Sequence, residues 1–161
     1  MDKIYLDSCV LIAYFSSHKE EKEKKKLVKK ALDLLEDVPQ IQLCTSDWTI
    51  TESVNIMRSR HKMQNSTVAR HEQSLRNKGR IGNIKIQIVE VGILSGYDFK
   101  EFFYDVRQNL MRYHSGVGDI MHSLIMQNNK ISKILTFDEK TDFKQIPGLH
   151  VIHPRDVEVT D

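Results

Sequence analysis

Asp7, Glu52, Asp119 and Asp138 are the residues of this chain whose type and placement suggest chemistry, because four separate segments carry them and each lies beside a short apolar run or near a helix start. Singly, each has an ordinary explanation. Asp7 can cap a helix, Asp119 can favour a helix N-terminus, Asp138 can close a turn, and Glu52 can be an exposed helix residue. Brought together they would repel one another, and clustered carboxylates are tolerated mainly when a cation neutralises them. A metal site is the better joint reading. An all-oxygen donor set suits a hard ion, Mg²⁺ or Mn²⁺, and the seven histidines show neither HExxH nor Cys/His zinc spacing. Such an ion activates water and stabilises the oxygens of an in-line displacement at a phosphodiester.

The elements that must position these acids follow from hydrophobic periodicity. Residues 4–6 form an apolar strand ending at Asp7, and Ser8 is placed to cap a buried helix over 10–15. A helix over 19–36 carries Leu27, Ala31, Leu34 and Leu35 at helical spacing. A second strand spans 41–45, and Ser46 can cap a helix over 47–60. That helix turns Ile50, Val54 and Met57 to the core and leaves Glu52 roughly opposite. The spacing predicts a further helix over 65–78, a half-buried strand over 84–91, and an amphipathic helix over 97–114. The last of these has Phe99, Phe102, Phe103, Val106 and Leu110 on one side. A helix from Asp119, a strand over 131–137 and a final strand over 150–152 complete the pattern. Strands alternating with such helices imply an α/β fold, a parallel sheet covered on both faces. In that architecture the carboxyl ends of the strands share one crevice, and all four acids can reach it.

Composition sets the limits. A chain of 161 residues with few Gly and Pro is expected to be a single domain spanning 1–161. Cys9 and Cys44 lie in apolar runs with no CxxC spacing, so reduced thiols and a cytoplasmic protein are expected. No apolar run approaches the roughly 20 residues a membrane helix needs, and a strand-like segment follows Met1 directly, so neither membrane insertion nor secretion is expected. Charge is segregated: His18 to Lys30 holds seven Lys against three Glu, and Arg58 to Arg80 holds seven basic residues against Glu72 alone. With a net charge of only +2, the rest of the chain is acidic. The basic stretches, with Arg58, Arg60 and Lys62 at their centre, are either solvated faces or arms for a nucleic-acid backbone. Trp48, Tyr104 and Tyr113 read as packing residues before they read as base-stacking ones, and His122, one turn beyond Asp119, as a surface or supporting residue before a catalytic one.

The run Tyr5, Leu6, Asp7, Ser8, followed by Val10, Leu11 and Ile12, resembles the opening of PIN-domain nucleases, which include the VapC-like toxin ribonucleases. Thr51 and Glu52, Gly118 and Asp119, and the closing segment from Ile134 through Asp138, Asp142 and Pro154 resemble the rest of that pattern in order. Cys9 stands where the family usually has Asn. The resemblance implies a three-layer α/β/α fold around a mainly parallel sheet and a Mg²⁺- or Mn²⁺-dependent endoribonuclease. Asp7, Glu52, Asp119 and Asp138 would be its metal-binding catalytic acids, with Ser8, Thr136 and Asp142 supporting them. It also implies an RNA substrate, a homodimer and, for a toxin, an antitoxin partner. A non-cleaving RNA- or protein-binding scaffold and a structure-specific DNA nuclease remain as alternatives. A haloacid-dehalogenase-type phosphatase is disfavoured, since Cys9 occupies the place of its second Asp.

Overall fold

The computed structural model describes residues 1–91, 98–138 and 142–158. Five strands, β1 (Asp2–Leu6), β2 (Ile41–Ser46), β5 (Gln87–Val89), β6 (Lys133–Leu135) and β7 (His150–Ile152), form one sheet in the order β5-β2-β1-β6-β7. All four of its ladders are parallel. The side chains of β1 alternate as the pleat demands. Ile4 and Leu6 enter the core shared with α1 (Ser8–Phe15), α2 (Lys22–Glu36), α3 (Asp47–Ser59) and α4 (Asn65–Lys78). Tyr5 enters the opposite core with α5 (Phe99–Arg112) and α6 (Val117–Asn128). The result is the expected three-layer α/β/α fold with β1 at its centre.

Several local expectations need correction. Asp7, not Ser8, is the N-cap of α1, its carboxylate accepting from the Ser8 N–H. The buried stripe of α2 is Val28, Ala31, Leu32 and Leu35, and the first turn of the expected helix is a separate 3₁₀ turn, Lys19–Glu21. The strand expected over 84–91 is two pieces. β3 (Arg80–Ile81) and β4 (Ile84–Lys85) make a small antiparallel hairpin, and only β5 joins the main sheet, at its edge. Gly79 and Gly82, both with positive φ, turn the chain into and around that hairpin. On α5 only Phe102 and Val106 of the predicted stripe are buried, while Phe99, Phe103 and Leu110 stay exposed. Residue 97, the expected start of that helix, lies outside the described residues.

Strand order reverses at β1. From it the chain passes to β2 on one side, and on the other side lies β6, so the crevice of this sheet opens above the carboxyl ends of β1 and β6. Asp7 leaves β1 there, its N–H donating to the Leu135 carbonyl at 3.1 Å.

Candidate active site

The Asp7 carboxylate is almost fully buried, and burial of a charge requires donors. Its Oδ1 accepts from the Ser8 N–H at 2.6 Å, and its Oδ2 accepts from the Thr136 hydroxyl at 2.7 Å and the Cys9 thiol at 3.1 Å. Ser8, mainly through its backbone, and Thr136 thus donate to the Asp7 carboxylate. Cys9 keeps a supporting role although its thiol is a weaker donor than an amide. Desolvation and the charge of Asp7 push that thiol well above its usual pKa, so it remains the protonated donor the contact needs. The Cys9 sulfur also receives the Phe137 N–H at 3.3 Å, tying α1 to the end of β6.

Glu52, in the second turn of α3, meets α6 instead of standing alone. Its Oε2 accepts from His122 Nε2 at 2.7 Å, and the same nitrogen lies 3.6 Å from Asp7 Oδ1. Its Oε1 rests against Gly118: a Cβ built there would stand 2.9 Å from that oxygen. Gly118 and His122, four residues apart on one helix face, thus bracket the Glu52 carboxylate, with Asp119 between them in sequence. Asp119 is half-buried in the first turn of α6, where a carboxylate suits the helix dipole.

Of the places the sequence allows His122, the structure excludes the surface and buries the ring fully. Burial alone would push its pKa down. The hydrogen bond to Glu52 and the charges of Asp7, Glu52 and Asp119 outweigh that and hold it above the ordinary value. Its Nδ1 lies 3.1 Å from the Tyr5 hydroxyl, itself 2.6 Å from both Ser46 Oγ and Thr49 Oγ1. Burial raises the Tyr5 pKa, so the phenol stays neutral. Ser46 is also the N-cap of α3, which fixes the helix carrying Glu52. The sequence signal for His122 is its position one turn after Asp119, which puts both on one helix face.

The structure thus brings Asp7, Glu52 and Asp119 around one imidazole. Asp138 lies exposed just beyond β6, and its N–H donates to the Thr136 hydroxyl that holds Asp7, at 3.1 Å. Asp142 begins a short 3₁₀ turn, but its side chain lies outside the described residues. Beside Ser8 and Cys9 opens a cleft of about 590 Å³, lined further by His18, Glu20, Glu21, Lys24, Arg60 and His61, with Lys24 Nζ 3.7 Å from the Glu21 carboxylate. Of the predicted cationic group Arg60 lines this cleft, while Arg58 and Lys62 are exposed nearby in sequence. His18 and His61 stack in it with ring centroids 4.6 Å apart.

Among the described residues, no three His, Cys, Asp or Glu side chains are already gathered as a metal cage. The donor types nevertheless suit a hard divalent ion, since Asp7, Glu52 and Asp119 are carboxylates that all act on His122, and the Glu52 oxygen occupies space that any residue larger than glycine at position 118 would fill.

A sheet of this order with acids at its switch point defines the class, a three-layer α/β/α domain of PIN type. The PIN domain family model matches residues 4–149, and the chain belongs to the PIN domain family, whose members are in general divalent-metal-dependent nucleases. Solved structures agree on the fold. VapBC2 from Rickettsia felis, bound to a DNA fragment from its promoter, is 17% identical over 94% of this chain and 98% of that one, with a TM-score of 0.61. VapC20 of Mycobacterium tuberculosis, a sarcin–ricin-loop-cleaving toxin, is 12% identical over 85% of this chain and 91% of that one, with a TM-score of 0.57. A toxin–antitoxin complex from Klebsiella pneumoniae is 19% identical over 94% and 97% of the two chains, with a TM-score of 0.54. No curated protein matches the sequence.

The contact at Gly118 separates stability from site geometry. Gly118→Ala adds a methyl group against the flexible end of Glu52, so the fold should survive and the helix gain up to about 1 kcal/mol in propensity. The carboxylate must move. Thermal melting should show an unchanged or raised midpoint while nuclease activity falls; a fall in both together would mean that the contact is structural only.

Proposed function

We propose that this protein is a Mg²⁺- or Mn²⁺-dependent endoribonuclease, and that it serves as the toxin of a toxin–antitoxin pair. The observation that carries the reading is the gathering of Asp7, Glu52 and Asp119 around His122 at the switch point of a PIN-family sheet. Asp7, Glu52, Asp119 and Asp138 would hold the ion. When bound, it supplies an activated water and charge stabilisation at the scissile phosphate.

The chain's own residues do the remainder. Ser8, Cys9 and Thr136 donate to Asp7 and orient it, and Asp138 is linked to that group through Thr136. Lys24 and Arg60 in the adjoining cleft, with exposed Arg58 and Lys62, offer cations to a phosphate backbone approaching an otherwise acidic site. The VapC likeness supports an antitoxin partner, and the exposed Phe99, Phe103 and Met111 of α5 give a homodimer an apolar face to cover. A single domain acting in the cytoplasm completes the proposal. Among the described residues, no helix is long and apolar enough to cross a membrane.

Purified protein incubated with RNA and DNA, with Mn²⁺ or with chelator, tests the reading. RNA should be cut only with metal, and Asp7→Asn, which keeps the side-chain volume, should fold normally and cut nothing. Cutting of DNA alone would replace the substrate, and no cutting of either would make the protein a binding scaffold. Replacing Arg58, Arg60 and Lys62 by Ala should weaken RNA binding most at low salt. The slope of log K against log salt should become shallower by roughly 0.7 for each phosphate the variant no longer neutralises; an unchanged slope would remove these residues from the interface.

A further inference from the structure

Beyond the acids themselves, one buried chain of groups runs through the centre of the molecule and ends on Glu52. It starts at Ser46 and Thr49, passes through the Tyr5 hydroxyl to His122 Nδ1, and leaves from His122 Nε2 to Glu52 Oε2. Four of these five residues are buried, with His122 at 2% exposure and Tyr5 at none. The partners fix the direction of the last bond. An ionised carboxylate only accepts, so Nε2 must carry hydrogen, and Nδ1 is the atom left to face the phenol. The ring cannot rotate without breaking both contacts, and Tyr5 is anchored in β1, the strand that delivers Asp7.

We propose that His122 is a positioning residue for the metal-dependent reaction: through Tyr5 and Nε2 it clamps the Glu52 carboxylate against Gly118 in the orientation that receives the ion. The inference rests on the nuclease reading above and assigns within it a role to a buried histidine that acts through the carboxylates around it, chiefly through Glu52. Three features of the geometry support it. Asp119, Gly118 and His122 share one helix, so the acid and the clamp move as a unit. The clamp engages one oxygen of Glu52 in a directed hydrogen bond and sets the other against a glycine, which restricts the carboxylate plane at both ends. The tyrosine that orients the imidazole is held by the same Ser46 that caps α3, so the position of Glu52 along its helix and the position of its hydrogen-bond donor have a common origin. Partners that orient a metal ligand in this way are ordinarily worth about 10- to 100-fold in metal affinity.

The test measures Mn²⁺ binding alone, from the electron paramagnetic resonance signal of the free ion, alongside RNA cleavage as a function of Mn²⁺. His122→Leu should weaken Mn²⁺ binding by about 10- to 100-fold and shift the Mn²⁺ dependence of cleavage equally. His122→Gln, whose amide can donate from nearly the same place, should recover most of the affinity. Tyr5→Phe keeps the ring and its packing, and should produce a smaller effect that vanishes when combined with His122→Leu, since both would break one linkage. A folded His122→Leu protein that binds Mn²⁺ and cleaves like wild type overturns the proposal, as do Tyr5 and His122 effects that simply add. If His122→Leu does not fold, Tyr5→Phe decides: weakened Mn²⁺ binding supports the clamp and unchanged binding overturns it. Wild-type protein that neither binds Mn²⁺ nor cuts RNA would instead defeat the nuclease reading, and the clamp with it.

Discussion

The constraint on which this structure turns is electrostatic: carboxylates must be held near one another at the end of a parallel sheet, with Asp7 almost fully buried and Glu52 and Asp119 partly so. Two such charges about 5 Å apart repel by roughly 3 kcal/mol at an effective dielectric of about 20. A hydrogen bond to a charged group returns about 1.5–3 kcal/mol. One donor per acid would leave the two effects nearly equal. Asp7 instead has a backbone N–H, a hydroxyl and a thiol, and Glu52 has an imidazole whose pKa the surrounding acids raise. Asp7 and Glu52 can thus persist on either side of the His122 imidazole.

The donors come from elements that are already fixed for other reasons. Thr136 follows the strand paired with β1, and Ser8 begins the helix that Asp7 caps. Tyr5 takes its place because β1 alternates, sending Ile4 and Leu6 to one core and Tyr5 to the other. The polar network is therefore built into the pleat of the central strand. Through it α6 contributes an acid, a space and a donor from Gly118, Asp119 and His122, which occupy a little over one turn.

What is legible in the sequence is what local rules control. The layer order, the strands ending at Asp7 and Ser46, the Ser46 cap and the helix over 65–78 follow from period and capping chemistry. Long-range pairing is not legible. The alternating run over 84–91 looks like one strand, yet Gly82 turns its start back onto Arg80 and Ile81, so only Gln87 to Val89 reach β2. The stripe of α2 is ambiguous from periodicity alone because Leu27 and Val28, and Leu32 and Leu34, compete for the core with similar apolarity, and packing takes Val28 and Leu32. The role of His122 is hidden because whether a histidine on an apolar helix face packs or donates depends on a tyrosine 117 residues away. Cys9 is hidden for a similar reason, since a thiol among apolar neighbours reads as core filler until Asp7 and Phe137 close around it.

Crystals soaked in Mn²⁺ and measured at a wavelength where manganese scatters anomalously address the central claim without an assay. The expected result is a single strong anomalous peak bounded by the oxygens of Asp7, Glu52 and Asp119. A map featureless there, with the carboxylates in place and manganese found elsewhere or nowhere, would contradict it.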